Sequence, residues 1–331
     1  MIKKEMSALL LLCILLVYSG KSNAMNKGEK NIPNKEVSVE SDRLPIADPY
    51  VMLYNNKYYA YGTGGTTKGE GFACFSSDDL KNWKREGQAL SAADSYGKWG
   101  FWAPEVYYIE SKKKFYMFYS VEEHICVATS DSPVGPFRQE VKQPVWEEKS
   151  IDTSLFIDDD GKPYLFFDRF NDGLNIWVAE LTDDLLQIKR ETMRPCIHVS
   201  QPWEMIWPRV NEGAFVMKHE GMYYMTYSAN SYESPFYGIG CATATDVNGP
   251  WTKYEHNPLL QCPGDLVGVG HSAMFRDKKG QLRIVFHAHK DKEAIHPRGM
   301  YIGKVKFRKQ KGSSEQTMYI DPEYITPVLK K

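Results

Sequence analysis

The sequence predicts an all-β protein, a five-bladed β-propeller with about four antiparallel strands in each blade. Three observations lead to this prediction. A pattern of an apolar strand, a short polar turn and an aromatic strand recurs five times along the chain. Aromatic residues make up 13% of the 331 residues, including 21 Tyr and 8 Trp, a composition that favours strands. No long stretch repeats its apolar residues with the 3.6-residue period of an amphipathic helix.

The recurring pattern is typical of a β-hairpin, because alternating apolar positions flank turn residues such as Asn55-Asn56 and Asp160-Gly161. The copies are VMLYNNKYYAYGTG from Val51, VYYIESKKKFYMFYS from Val106, SLFIDDDGKPYLFFD from Ser154, AFVMKHEGMYYMTYS from Ala214 and AMFRDKKGQLRIVFH from Ala273. A second pair of short strands follows most hairpins, clearest in CFSSDDLKNWKRE, CVATSDSPVGPFRQE and CATATDVNGPWTKYE. Each repeat therefore has the strand content of one propeller blade.

The spacing of the repeats gives the number of blades. The residues taken as the starts of the innermost strands are separated by 57, 47, 60 and 59 positions, and they are Asp48, Glu105, Asp152, Glu212 and His271. A fifth repeat of this length ends close to residue 331 and leaves no room for a sixth. We therefore predict one propeller domain over residues 44–331.

The N-terminal region has the features of a secretory signal peptide. Lys3 and Lys4 precede an apolar run of 11 residues, shorter than the roughly 20 that span a bilayer. Ser22 and Ala24 place small residues where a signal peptidase reads them. We predict a signal peptide over residues 1–24, cleavage near Ala24, a flexible leader over residues 25–43, and export to the periplasm or the extracellular space.

Charge and cysteine content narrow the possible partners. The 41 basic and 42 acidic residues nearly balance, so the chain lacks the electrostatic footprint of a protein that binds nucleic acid or an anionic membrane. The five cysteines after Ala24 are odd in number and have no C-x-x-C spacing, so we expect buried thiols rather than a disulfide framework. We expect a monomer with no nucleic-acid partner and no membrane span.

The predicted strand starts bring ionisable groups together. In a propeller the innermost strand of each blade lines the central channel, so equivalent residues lie at one height around the axis. Two Asp, two Glu and one His would then converge at one mouth of the channel. Paired carboxyl groups in a cleft are what hydrolyses glycosidic bonds, so the sequence favours a glycosidase.

The order of the blades assigns roles to these acids. Asp48 and Glu212 belong to blades that are not neighbours, so we expect them to face each other across the mouth. Asp152 lies in the blade next to that of Glu212, and a neighbouring carboxylate raises a pKa, as a general acid requires near neutral pH. We predict Glu212 as general acid, Asp48 as general base and Asp152 as the group that tunes and orients Glu212. The wide separation of acid and base predicts inversion at the anomeric carbon.

Several short motifs resemble glycoside hydrolase family 43, from about residue 43 to the C-terminus. They are Ala47-Asp48-Pro49, Trp102-Ala103-Pro104-Glu105, Ser150-Ile151-Asp152, Asn211-Glu212-Gly213 and Gly270-His271-Ser272. The resemblance implies a five-bladed propeller of inverting enzymes that act on arabinose, xylose and sometimes galactose linkages. It also implies a base Asp, a modulating Asp and an acid Glu, and these roles fall on Asp48, Asp152 and Glu212.

The resemblance extends to residues around the three acids. Trp102 is similar to the aromatic platform of the family's sugar subsite, and Arg298 to an Arg that contacts the substrate and the acidic cluster. His271 would point into the channel and join the substrate-binding residues. Family members hold water and sometimes a calcium ion there, and since calcium prefers oxygen ligands, His271 would reach such an ion through water. We expect no cofactor that the reaction requires.

Two alternatives concern the roles of single residues. Glu105 would take over if Asp152 or Glu212 has been misassigned. His271, His287 and His289 would make a zinc site in principle, but an inverting glycosidase needs no metal, so we disfavour this interpretation.

Together with the predicted signal peptide, the resemblance implies an exported, inverting, exo-acting α-L-arabinofuranosidase that works on side chains or ends of a plant polysaccharide. The chain ends with the propeller, without the β-sandwich of two-domain β-xylosidases, which lowers the expectation of xylosidase activity. β-Xylosidase, β-galactofuranosidase and endo-arabinanase remain alternatives on the same fold. A non-catalytic carbohydrate-binding propeller is an alternative of a different class.

Overall fold

The computed structural model describes residues 42–65, 70–206, 209–309 and 316–330. The predicted signal peptide and nearly all of the predicted leader lie outside these ranges. Within them the regular structure is β-strand, together with three short 3₁₀ turns at Ala92–Asp94, Arg190–Thr192 and Pro202–Glu204. None of the described helical segments has the length and apolarity needed to cross a bilayer.

Five small antiparallel sheets form the blades of a propeller, as predicted from the repeats. Blade 1 contains β1 (Ile46–Tyr54), β2 (Lys57–Gly64), β3 (Gly71–Ser77) and β4 (Asn82–Ser91). Blade 2 contains β5 (Trp102–Ile109), β6 (Lys114–Val121) and β7 (His124–Ser130). Blade 3 contains β8 (Ser150–Ile157), β9 (Pro163–Phe170), β10 (Leu174–Glu180) and β11 (Arg194–Ile197).

The last two blades complete the ring. Blade 4 contains β12 (Asn211–His219), β13 (Met222–Ala229), β14 (Gly238–Ala244) and β15 (Thr252–Lys253). Blade 5 contains β16 (Gly270–Arg276), β17 (Leu282–Ala288), β18 (Gly299–Lys309) and β19 (Gln316–Ile320), and the chain ends with β20 (Val328–Leu329). The prediction of about four strands per blade is confirmed for the ring as a whole, and the sheet of blade 2 differs in having three. An isolated bridge of Arg138 to Thr129 continues it outward, whereas Phe137 bridges to Leu90 of blade 1, and Pro133 and Pro136 interrupt longer strand pairing there.

Hairpin turns and inter-blade packing follow the sequence pattern. Asn55 and Asn56 both have positive φ, 47° and 60°, the conformation that a two-residue hairpin turn requires and that Asn tolerates. Aromatic residues of the hairpins pack between neighbouring blades. Examples are Tyr54 on Phe115, Phe156 on Tyr223 and Tyr58 on Phe275, with ring centroids 4.9, 5.8 and 6.1 Å apart.

The ring is closed by contacts between the first and last parts of the described chain. The short strand β20 adds to the outer edge of blade 1, parallel to β4. Leu44 donates its backbone N–H to Pro327, and Leu329 donates to Asp42. Residues of blade 5 such as Phe275 and Val285 share one hydrophobic core with blade 1. Blades 5 and 1 are therefore joined by apolar packing and by backbone pairing.

Candidate active site

The innermost strand of every blade carries a bulge near its start. In each, two residues interrupt the antiparallel register, and the first of them has a positive φ. These first bulge residues, with φ of 47°, 46°, 55°, 60° and 47°, are Asp48, Ala103, Asp152, Gly213 and His271. A bulge re-aims the side chain that it carries, so the repeat places five residues at equivalent points of the channel mouth.

This register corrects the predicted set of equivalent positions. Asp48, Asp152 and His271 are equivalent, as expected, but Glu105 and Glu212 are not. Glu105 follows the bulge residue Ala103 by two positions, whereas Glu212 precedes Gly213 by one. The error arose because a bulge leaves no trace in the apolar alternation on which the alignment was based. Trp102, one residue before its bulge, is the true counterpart of Glu212 in blade 2.

A side chain from the preceding blade meets the backbone N–H of each bulge residue. Each acceptor lies on the second strand of its own blade. There it pairs with the residue that comes just before the bulge of the innermost strand of that blade. The acceptors are Thr63 for Ala103 (2.9 Å), Ser120 for Asp152 (2.9 Å), Asp168 for Gly213 (3.0 Å), Ser228 for His271 (2.7 Å) and His287 for Asp48 (3.1 Å). We call these five residues the latch residues. They tie each blade to the next at the height of the mouth, and His287 ties blade 5 to blade 1.

Asp48 is buried among positive and neutral nitrogen groups. Nη1 of Arg298 donates to Oδ1 of Asp48 at 2.9 Å, and Nη2 lies 3.4 Å from Oδ2. Nδ1 of His287 lies 3.2 Å from Oδ1, and Nδ1 of His271 lies 3.5 Å from it. Burial acts to raise the pKa of Asp48, but the charge of Arg298, aided by the contacts with His271 and His287, outweighs burial and holds that pKa well below its usual value. Asp48 is therefore ionised at neutral pH, as a general base must be.

Glu212 lies under the opposite conditions. Its carboxyl Oε1 accepts a hydrogen bond of 2.7 Å from the hydroxyl of Tyr237. Burial raises the pKa of Glu212 to about 7; the charge of Asp48 also raises it, while Tyr237 and Arg298 act to lower it. A carboxyl group with this pKa is largely protonated below neutral pH and can donate a proton.

Asp152 belongs to the same acidic group. Its Oδ2 lies 3.8 Å from Nδ1 of His271, and only 7% of its surface is exposed. Burial raises the pKa of Asp152 well above its usual value, and the charges of Glu212 and Asp48 raise it further. We expected repulsion between Asp152 and Glu212 to raise the pKa of Glu212. Instead this repulsion raises the pKa of Asp152, and burial is the main cause of the raised pKa of Glu212.

Glu105 is buried against Tyr107. The hydroxyl of Tyr107 donates to Oε2 of Glu105, and Tyr50 packs on Tyr107 with ring centroids 5.2 Å apart. Burial raises the pKa of Glu105 to about 8, against smaller lowering effects of Tyr107 and Ser154. Glu105 is therefore held as a neutral acid by burial.

The structure places the other predicted residues around the mouth or in its wall. Trp102 is partly exposed, with Gly100 close against its indole ring. Arg298 is 9% exposed, and its guanidinium stacks on Tyr232 at 4.5 Å. His271 is partly exposed, and burial lowers its pKa, so it is neutral at pH 7. Arg298 and His271 thus surround Asp48.

Sequence reasoning did not identify three residues of this site. His287 appeared only as a disfavoured zinc ligand, and Asp168 and Tyr237 were not singled out. A signal for two of them was present, because every hairpin copy either ends in its latch residue or, in blade 1, has it next to last. Tyr237 belongs to the connection before β14, outside the repeated pattern, and gave no signal.

The described residues offer little to a metal ion. Across the described ranges, no group of three or more His, Cys, Asp or Glu is arranged to share one. His289 is engaged elsewhere, with Nε2 at 2.6 Å from the carbonyl of Tyr232. Calcium takes six to eight oxygen ligands, and the nearest carboxylate to His271 is held by Arg298. These residues do not form a protein cage for calcium, and an ion held through water at His271 stays a prediction.

Known proteins are similar to this chain in sequence and in fold. The profile of the family described as "Glycosyl hydrolases family 43" matches residues 43–311. A solved structure of an endo-1,4-beta-xylanase from Bacteroides thetaiotaomicron is 62% identical, with a TM-score of 0.85, and the match covers 89% of this chain and 100% of that one. The arabinoxylan arabinofuranohydrolase of Bacillus subtilis is 27% identical over 90% of this chain and 67% of its own length. A beta-D-galactofuranosidase of Aspergillus niger is 27% identical over 73% of each chain.

Proposed function

Since the chain belongs to glycosyl hydrolases family 43 and is a glycosidase that hydrolyses O-glycosyl bonds, we propose that it acts with inversion and that Asp48, Asp152 and Glu212 carry the reaction. The observation that supports these roles is the contrast of two carboxyl groups at one mouth. The pKa of Asp48 is held well below its usual value, while the pKa of Glu212 is raised to about 7.

In the proposed mechanism the sugar lies between Asp48 and Glu212. The carboxylate of Asp48 removes a proton from a water molecule, and the oxygen of that water forms a bond to the anomeric carbon. The bond from this carbon to the glycosidic oxygen breaks, and Glu212 donates its proton to the departing oxygen. Asp152 lies next to Glu212 and favours its protonated form, since two ionised carboxylates at close range repel each other. Trp102, His271 and Arg298 are the proposed substrate contacts.

We propose α-L-arabinofuranosyl groups at side chains or ends of a plant polysaccharide as the substrate, with exo action. The similarity to an enzyme named for arabinoxylan supports this choice. A specific observation favours a second candidate, because the 62% identical structure bears the name of a β-1,4-xylanase. Export after cleavage near Ala24 and a monomeric state are further proposals that accompany an extracellular polysaccharide substrate.

A panel of p-nitrophenyl glycosides tests the substrate. The panel contains the α-L-arabinofuranoside, the β-D-xyloside and the β-D-galactofuranoside, and it is run beside polymeric arabinan, arabinoxylan and β-1,4-xylan. We expect release from the arabinofuranoside and free arabinose from arabinoxylan. Shortening of unsubstituted xylan with no arabinose release would select the second candidate. Binding of the polymers without release from any of them would support the non-catalytic alternative instead.

Proton NMR of the freshly released sugar tests the stereochemistry. Inversion requires that the first anomer to appear has the configuration opposite to that of the substrate, before mutarotation mixes the two. A retained anomer in the earliest spectra would contradict the proposed roles of Asp48 and Glu212.

A further inference from the structure

Asp168 is a fully buried acid that the proposed mechanism does not use. It lies near the end of β9 with 0% of its surface exposed. Its Oδ2 accepts the latch hydrogen bond from the backbone N–H of Gly213, the residue after Glu212. Its Oδ1 is also buried and receives no hydrogen bond from any N–H or O–H group of the described ranges. A buried carboxylate oxygen without a donor is costly, so its presence requires an explanation.

The other four latch residues show that the latch itself does not need an acid. Thr63, Ser120, Ser228 and His287 perform the same backbone contact in their blades with neutral side chains. A hydroxyl or an imidazole is therefore enough to hold a bulge residue. The carboxyl of Asp168 has a second oxygen that the latch contact does not use. That oxygen is Oδ1, which receives no hydrogen bond.

The surroundings of Asp168 are acidic. The groups whose charges act on it are Asp152 on β8 and Glu212 on β12, and Asp168 in turn acts on the thiol of Cys196 on β11. Burial raises the pKa of Asp168 well above its usual value, and the charges of Asp152 and Glu212 raise it further. The interaction between the carboxyl groups of Asp168 and Asp152 also raises the pKa of Asp168, and it lowers that of Asp152. Two carboxyl groups in such contact cannot both be ionised, and they share a proton.

We propose that Asp168 is a positioning residue that holds a proton on Oδ1 and donates it in a hydrogen bond to the carboxylate of Asp152. The orphaned oxygen then has a partner, and Asp152 can remain an anion beside Glu212. Through Oδ2 the same side chain fixes Gly213, so it connects the modulating acid to the backbone of the general acid. The catalytic part of this inference rests on the proposed roles of Asp152 and Glu212, but the protonation of Asp168 does not.

Two substitutions distinguish whether Asp168 acts as a proton donor, as a charged group or only as a latch residue. Asp168→Asn keeps an acceptor for Gly213 and supplies N–H donors for Asp152, so we expect kcat within about threefold of the wild type. Asp168→Ser copies the latch of blades 2 and 4 but removes the donor to Asp152. We expect its kcat to fall roughly ten- to a hundredfold, with KM little changed, because a hydrogen bond to a charged group is lost.

The pH profile gives a second readout. Without its donor, Asp152 takes up a proton itself, and the charge that repels ionised Glu212 is lost. The pKa of Glu212 then falls, and the basic limb of kcat/KM moves to lower pH in Asp168→Ser but not in Asp168→Asn. An Asp168→Asn variant as impaired as Asp168→Ser would show that the charge of Asp168 matters and would overturn the proposal. An Asp168→Ser variant with wild-type kcat and pH profile would show that Asp168 acts only as a latch residue, and it would overturn the proposal.

Infrared difference spectroscopy tests the proton without any substrate. The wild type minus Asp168→Asn spectrum at pH 7 should contain the carbonyl band of one buried protonated carboxylic acid, and no carboxylate bands in its place. The exposed Asp131→Asn change is the matched control and should show only the loss of a carboxylate. Carboxylate bands at Asp168 would overturn the proposal even in an active enzyme. The expected band in an inactive protein would retain the proposal and reject the proposed function. Thermal unfolding of each variant verifies that it is folded.

Discussion

The two sides of the channel mouth hold carboxyl groups of opposite character. We call Asp48 with Arg298, His271 and His287 the base side, and Asp152, Asp168 and Glu212 the acid side. On the base side, the guanidinium and the imidazoles keep the pKa of the single carboxyl low in spite of burial. On the acid side, burial raises the pKa of each carboxyl. Neighbouring acids of the same side raise the pKa of Asp152 and Asp168 further, whereas Asp48 does so for Glu212.

The comparison shows that neither the backbone nor burial decides the protonation state. Asp48 and Asp152 occupy equivalent bulges with φ of 47° and 55°, and they are 8% and 7% exposed. Their pKa values nevertheless shift in opposite directions. The difference lies in the blades that face them, because Arg298 comes from the connection after β17 and Glu212 from β12. The repeated fold thus places Asp48 and Asp152 at equivalent backbone positions, and their different neighbours give them opposite pKa shifts.

The largest effect should follow from removing the proton of the acid side. Glu212→Gln keeps the shape but cannot donate a proton to the leaving oxygen, so kcat on natural substrates should fall by about a hundredfold to ten-thousandfold. The loss should shrink for aryl glycosides whose phenolate leaves without protonation. Steady-state kinetics measures both, and the exposed Glu110→Gln change serves as control. Unchanged rates in Glu212→Gln would transfer the acid role to Glu105.

The base side should be nearly as sensitive to the loss of its positive charge. In Arg298→Met the burial of Asp48 is no longer offset, so the pKa of Asp48 rises and the acid limb of kcat/KM moves to higher pH. We expect roughly a ten- to hundredfold loss below neutral pH, since only ionised Asp48 can accept a proton. Arg298→Lys is the matched variant that keeps a charge, and its acid limb should stay near that of the wild type. Equal profiles for the two variants would contradict the assigned role of the charge.

The fold and the main acids could be predicted from sequence, whereas their arrangement could not. Alternating apolar residues specify hairpins because side chains on a strand point to opposite faces, so five copies were recognisable. A bulge inserts a residue without disturbing that alternation on either side, which is why Glu105 and Glu212 were aligned as equivalents. The ion pair of Asp48 and Arg298 joins residues 250 positions apart, and only the resemblance to a family indicated it.

The protonation of the acid side was predictable in direction but not in cause. Two acids in adjacent blades suggested repulsion at Glu212, yet burial is the larger cause there. Burial depends on how blades pack, which residue order does not specify. Asp168 illustrates the same limit, since it lies at a recurring polar position whose contact with Gly213 exists only in the closed ring.

A smaller change should sharpen the acid side. Tyr237→Phe removes a hydrogen bond that favours ionised Glu212, so the pKa of Glu212 should rise. The protonated acid then persists to higher pH, and the basic limb of kcat/KM should move upward. At the pH optimum we expect a loss of at most about tenfold, because the proton itself is retained. A basic limb that moves downward would show that Tyr237 acts on Glu212 in some other way.

Glu105 isolates the effect of burial from that of neighbouring charges, and here we expect the smallest change in activity. Its pKa is raised from 4.5 to about 8 by burial, with no charged partner, so it is protonated at neutral pH and Glu105→Gln should turn over substrate like the wild type.

The difference in stability between the wild type and Glu105→Gln should depend on pH. The folded wild type binds a proton between pH 4.5 and about 8 that the unfolded chain has lost, so its stability falls as pH rises through this window. The variant has no such proton and should gain on the wild type by an amount on the order of a few kcal/mol across the window. Denaturant unfolding of both proteins at about pH 5 and about pH 8 measures this difference, and a constant gap would mean that Glu105 is ionised in the fold.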